Sequence, residues 1–131
     1  MRMDLSDIAG NIADQDRGRE LEIVNPATGE PIGIKFRVAG PDSETQHRAR
    51  LKLADDLAEM ADDEGRVTAE QREKARIACL ARCVLGWEIE EDGQPLPFTH
   101  KNALRVLSMA LWLQVQVDAF ASDRRAFMGD M

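Results

Sequence analysis

The chain has 131 residues, with 24 Asp and Glu against 17 Lys and Arg, a net charge of -7, and six aromatic rings, none of them tyrosine. That length fits one domain able to bury a core without staples, and two cysteines are too few for a disulfide scaffold. The acidic balance excludes the basic stripe of a free-standing nucleic-acid binder, and neither a bilayer-length apolar run nor a secretory-signal pattern occurs, so a soluble cytoplasmic protein is expected.

Residues 1–18 read as a flexible arm or a short helix. Leu5, Ile8, Ile12 and Ala13 recur at helical spacing, while Gly10 and the polar excess weaken the pattern. Over 19–38 the period changes to two. Leu21 and Ile23, then Ile34, Phe36 and Val38, alternate with charged or small residues around the turn-rich stretch Asn25 to Pro31, which predicts a β-hairpin. Pro31 has no N–H to donate and belongs at a strand start or edge.

A helix is predicted over 42–64, with Asp42 or Ser43 as N-cap and Glu44 in its first turn. Leu53, Leu57, Met60 and Ala61 form its inner face. Its later acids (Asp55, Asp56, Glu59, Asp62, Asp63 and Glu64) read as a solvated face, or as an acidic docking surface for a basic helix. Gly65 ends that helix. Thr68 and Gln71 then have the spacing of a capping box and open a helix over 68–85 with Ile77, Leu80, Ala81 and Val84 inward. Gly86 is the expected left-handed C-cap, and the two helices should form an antiparallel hairpin. Residues 87–93 read as a short strand or extended connector that turns at Asp92-Gly93. The region 99–127 is helical, capped by Thr99, with Phe98 and Ala103 at the positions of a hydrophobic staple and a break near Ser108–Ala110. Its inner face is expected to run through Leu104, Leu107, Leu111, Trp112, Val115, Ala119 and Phe120, and Phe127 continues it into the tail. The predicted class is α+β, mainly α: an N-terminal β-hairpin, an antiparallel helical hairpin and a C-terminal helical region, with 19–131 forming a single domain.

Chemistry is sparse. Neither GxxxxGK nor GxGxxG occurs, and no serine or cysteine stands with a histidine in a recognised nucleophile setting. Cys79 and Cys83 fall one helical turn apart and could join His47 and His100 on a metal, but structural zinc prefers cysteine pairs across a tight turn. Small weakly polar residues beside an apolar stripe read as core. No catalytic residue, cofactor or metal is expected, and the function should be binding. The candidate partner-binding residues are Trp87, Phe98, Trp112, Phe120, Phe127 and Met128. Several of these must also build the core, and Phe127 and Met128 are the preferred exposed edge. Met1, Met3, Met60, Met109 and Met131 add adaptable apolar surface.

One ordered set of residues carries a family resemblance. It runs from Trp87 through the turn Asp92-Gly93-Gln94-Pro95-Leu96-Pro97-Phe98-Thr99 to Ala103-Leu104, Leu107 and Trp112, then Val117-Asp118, Phe120, Asp123-Arg124 and Phe127. With the hairpin and the Gly-Pro-Asp-Ser helix start, this resembles the small tail assembly chaperones of long-tailed bacteriophages and prophages over residues 19–128. The resemblance implies a non-catalytic protein of the bacterial host cytoplasm. It would coat the helical, apolar-striped tape-measure protein during tail assembly, with some self-association and no nucleic-acid or membrane partner. The rival expectation is a structural virion component of the tail or head–tail junction that assembles into rings.

Overall fold

The computed structural model describes residues 2–129, and the α+β, mainly α class holds: 55% of the described residues are helical and 18% lie in strands. Helix α1 (Leu5–Arg17) leads into the hairpin β1 (Arg19–Val24) and β2 (Pro31–Val38). Helices α2 (Glu44–Met60) and α3 (Ala69–Cys83) follow, then β3 (Val84–Glu88) and a small hairpin, β4 (Glu90–Glu91) and β5 (Gln94–Pro95). Helices α4 (His100–Met109), α5 (Leu111–Ala121) and α6 (Arg124–Met128) complete the fold. Met1 and Met131, named above as apolar surface, lie outside the described residues.

β1, β2 and β3 form an antiparallel sheet in that order. Its register sets Leu21, Phe36 and Trp87 side by side, and Glu22, Lys35 and Glu88 in the next row. Side chains alternate across a pleated sheet, so one row enters the core and the other meets water. Ile23, Phe36 and Val38 join Ala49, Leu80, Val106, Leu107, Leu113 and Val117 in one buried cluster. Edge strand β1 does not offer free backbone at its bulge. The Gln116 amide accepts from the Val24 N–H at 2.9 Å and donates to the Val24 carbonyl at 2.8 Å, in place of a neighbouring strand.

Residues 5–17 form the helix of the two readings offered for the arm. Asp4 and Asp7 make a reciprocal capping box at its start, and its second half is fastened to the body by polar groups. The buried Gln15 accepts from the Asp42 N–H at 2.8 Å and donates to Asn11 Oδ1 at 2.7 Å. Asp16 accepts from the N–H groups of Glu44 and Thr45 at 3.2 and 2.9 Å, satisfying orphan donors at the start of α2.

Several expected boundaries and faces are corrected. α2 ends at Met60 and not at 64, because Asp62 Oδ1 accepts from the Glu64 and Arg66 N–H groups at 2.9 Å each, and a local turn of this kind competes with helix. The Thr68–Gln71 capping box is present, but α3 ends at Cys83 and passes directly into β3. Gly86 is therefore a strand residue paired with Arg37, not a left-handed cap. The helical break falls at Ala110, whose backbone is extended at φ -144° and ψ 124°. That break resets the helical phase. On α5 the buried positions are Leu113, Gln114, Val117 and Ala121, while Leu111, Trp112 and Val115, expected inward, are exposed.

Candidate functional site

The reset phase of α5 leaves apolar side chains on the surface. Every residue from Met109 to Val117 is uncharged, so the helix is apolar nearly all round and has only one side against the core. Met109 and Leu111 are 71% and 68% exposed, Val115 is 56% exposed, and Trp112 is 39% exposed.

Across a groove from Met109 and Trp112 stands the β4–β5 hairpin. Asp92 and Gly93 both have positive φ, 53° and 78°, the requirement of the tight two-residue turn that suits strand twist. The hairpin's base is set by aromatic packing. Trp87 meets Phe36 edge-on at 5.9 Å and Phe98 edge-on at 5.0 Å, and its Nε1–H donates to the Leu96 carbonyl at 2.8 Å. Such pairs add about 0.5–1.5 kcal/mol beyond burial. Between hairpin and helices lies a groove of about 320 Å³ with Ile34, Ile89 and Leu96 on one wall and Val106, Met109 and Trp112 on the other. A second depression of about 700 Å³ adjoins it through the same Ile34, Ile89, Glu90 and Leu96, and extends to Ile32 and Trp87. Arg105 on α4 spans to Glu91 on β4 with paired hydrogen bonds of 2.8 and 3.0 Å. This bidentate pair holds the Glu91 carboxyl below the usual carboxylate range.

The six expected binding residues divide. Trp87 and Trp112 line this continuous depression, and Phe98 meets Trp87 edge-on with part of its ring exposed. Phe120, Phe127 and Met128 lie elsewhere. Phe127 is a correction: it is fully buried, 5.2 Å from Phe120, and its carbonyl accepts from Asn11 Nδ2 at 2.8 Å. The tail is anchored because Arg124 clasps Asp42 with hydrogen bonds of 2.9 and 2.8 Å. Met128 is half-buried beside Arg124 and Arg125. Ile32, Ile34, Ile89, Leu96, Leu111 and Val115 escaped sequence reasoning as surface. The available signal was the charge-free run through α5, which one core cannot cover on both sides.

A second apolar stripe lies on α1. Met3, Leu5, Ile8 and Ile12 are exposed, and the three helical residues continue toward the N-terminus the line on which Gln15 is buried.

The groove is lined mainly by apolar side chains, together with Glu90, Glu91 and Arg105. Away from it, the Cys83 thiol donates to the Cys79 carbonyl at 3.3 Å and the Cys79 thiol to the Ala49 carbonyl at 3.5 Å. No group of three or more His, Cys, Asp or Glu among the described residues is placed to hold a metal ion, and the structure does not gather His47 and His100 with the two thiols. No helix among the described residues is long and apolar enough to cross a membrane.

Comparison with curated proteins gave no match, and comparison with solved structures gave none. A family model described as YdaY prophage protein matches residues 42–130, which take in α2 to α6, the small hairpin and the helical wall of the groove. That match spans more than half of the chain, and the chain therefore belongs to the YdaY prophage protein family.

Proposed function

We propose that this protein is a non-catalytic tail assembly chaperone of a phage or prophage, which binds the tape-measure protein in the host cytoplasm and keeps it soluble while the tail is built. The observation that carries this reading is the outward apolar face around the α4–α5 break, where Met109, Leu111, Trp112 and Val115 are exposed and Met109 and Trp112 line a groove. Exposed apolar patches of this kind mark interaction surfaces. A groove is suited to the apolar side of an amphipathic helix. The client in this reading is helical and apolar in stripes, and the net charge of -7 keeps coated copies apart in solution. Co-expression with a tape-measure fragment, followed by size exclusion, tests the reading. Co-elution and a rise in soluble client are expected; an insoluble client that leaves this protein in its own peak sinks it.

The exposed stripe of α1 favours a second reading, a ring-forming structural component of the tail or head–tail junction. Light scattering on the isolated protein and its presence in purified particles would favour that alternative. A chaperone should be absent from finished particles.

A further inference from the structure

On α5, Leu111, Trp112, Val115, Asp118 and Ala119 are exposed. Their three- and four-residue spacing places them in one stripe with Val115 at its centre. Trp112 and Ala119, seven apart, run along one edge of the stripe, and Leu111 and Asp118 run along the other. Large side chains therefore fill the N-terminal half and smaller ones the C-terminal half. Gln114, three residues after Leu111 and four before Asp118, borders the second edge, and there Arg76 of α3 donates to its Oε1 at 2.9 Å. Arg76 and Asp118 are both exposed, and neither makes an ion pair among the described residues.

We propose that this stripe pairs with the same stripe of a second copy of the chain, antiparallel about a twofold axis at Val115. Such an isologous contact sets each residue against one equally far beyond the axis, and each edge meets its own counterpart. Trp112 then lies over the small Ala119 of the second copy, and Val115 meets Val115. On the other edge Leu111 faces Asp118 of the second copy. That Asp118 stands three residues beyond the axis and Gln114 one, an offset of about 3 Å along the helix at 1.5 Å per residue, so Arg76 is within reach of the carboxylate. Charge also favours this face for self-pairing. Two chains of net charge -7 repel, but the run from Met109 to Val117 brings no charge to the contact, and the one acid in the stripe meets a cation. Helix α5 has 11 residues and is about 16 Å long, so its pairing covers less than the ~800 Å² per partner of a standard interface. The dimer is accordingly weak and reversible. The inference goes beyond the client reading: without client the face closes on a second copy, and the two occupants exclude one another.

Association by mass action rises with concentration, so sedimentation velocity of the full chain from about 2 to about 200 µM should show monomer giving way to dimer. Val115→Glu sets two carboxylates face to face on the axis and should weaken association at least about tenfold. Asp118→Arg and Arg76→Asp each place like charges together and should weaken it about fivefold, whereas the double swap R76D/D118R re-forms the pair with reversed polarity and should recover the parent's association. All of these changes fall on exposed side chains. A chain that stays monomeric over the whole range, an assembly indifferent to Val115→Glu, or a double swap no better than the single ones overturns the inference. A monomeric parent chain that still co-elutes with the tape-measure fragment overturns the dimer alone, and a dimer that ignores that fragment overturns the client alone.

Discussion

Cys79 and Cys83 share a helix face, and their environments part them. The neighbouring Cys83 thiol lowers the Cys79 thiol to about 7 against the opposing effect of burial, with Arg82 and Arg50 adding to it. The same pairing, together with burial, pushes Cys83 up. Thiolate, and hence nucleophilicity, belongs to Cys79. Iodoacetamide labelling followed by mass spectrometry should show one modified thiol, Cys79, with a rate that rises through a midpoint near pH 7. Cys83→Ser should move that midpoint up toward an ordinary thiol. Equal labelling of both thiols at pH 7.5 would contradict this assignment. Sequence spacing places the two sulfurs on one face, but their inequality depends on burial and on the arginines that α2 and α3 bring near. The same limit applies to the rings. Trp112 and Phe127 look alike in sequence, and only the anchoring of the tail by Asn11 and Asp42 buries one and leaves the other partly in solvent.

At the scale of elements, propensity, caps and period are local and were readable: the hairpin around Pro31, the Thr68 and Thr99 caps and the break near Ala110 all stand where the sequence puts them. Phase across the break was not, because an extended residue at Ala110 uncouples the faces of α4 and α5. Two neighbouring substitutions test the corrected phase. Leu113→Ala should cost about 2–4 kcal/mol through lost burial and a residual cavity, whereas Leu111→Ala should change stability by no more than about 0.5 kcal/mol. Urea unfolding of both variants decides, and equal costs would restore the original inner face. A junction of α1, α2 and α6 was equally hidden, since it joins residues distant in the chain. There the Arg124 guanidinium beside Asp42 holds that carboxyl below its usual range. For Asp16, burial works upward, but hydrogen bonds from Thr45 and Glu44 prevail and lower it. Folded values below the unfolded ones give stability that is present above the ordinary carboxylate value of 3.8 and lost as pH falls through the lowered values. The melting temperature should therefore drop as pH falls below about 4. Asp42→Asn should lower it at neutral pH and flatten the acid decline. An acid profile identical to that of the parent would remove this pair from the account.

For the whole molecule, the family match and the folding unit do not coincide. The match begins at residue 42, yet β2 is the central strand of the β1-β2-β3 sheet, and it places Phe36 and Val38 at full burial in the core. Without β1 and β2, strand β3 would present an unpaired edge, a hazard for aggregation. Leu80, Val84 and Leu113 would lose the apolar sheet face that covers them in the same cluster. The groove would lose Ile32 and Ile34, and with them much of the wall facing Trp112. α1 stands differently: its attachment is by polar side chains and its apolar stripe is exposed, so its removal takes little from the core. A chain beginning at residue 42 should show no cooperative thermal transition and should aggregate. One beginning at residue 18 should keep a single transition at a lower temperature, because Gln15 and Asp16 no longer satisfy α2. Calorimetry of the two truncations separates the cases. A cooperative transition in the shorter chain would mean that the matched segment is a domain by itself and that the hairpin is an accessory to it.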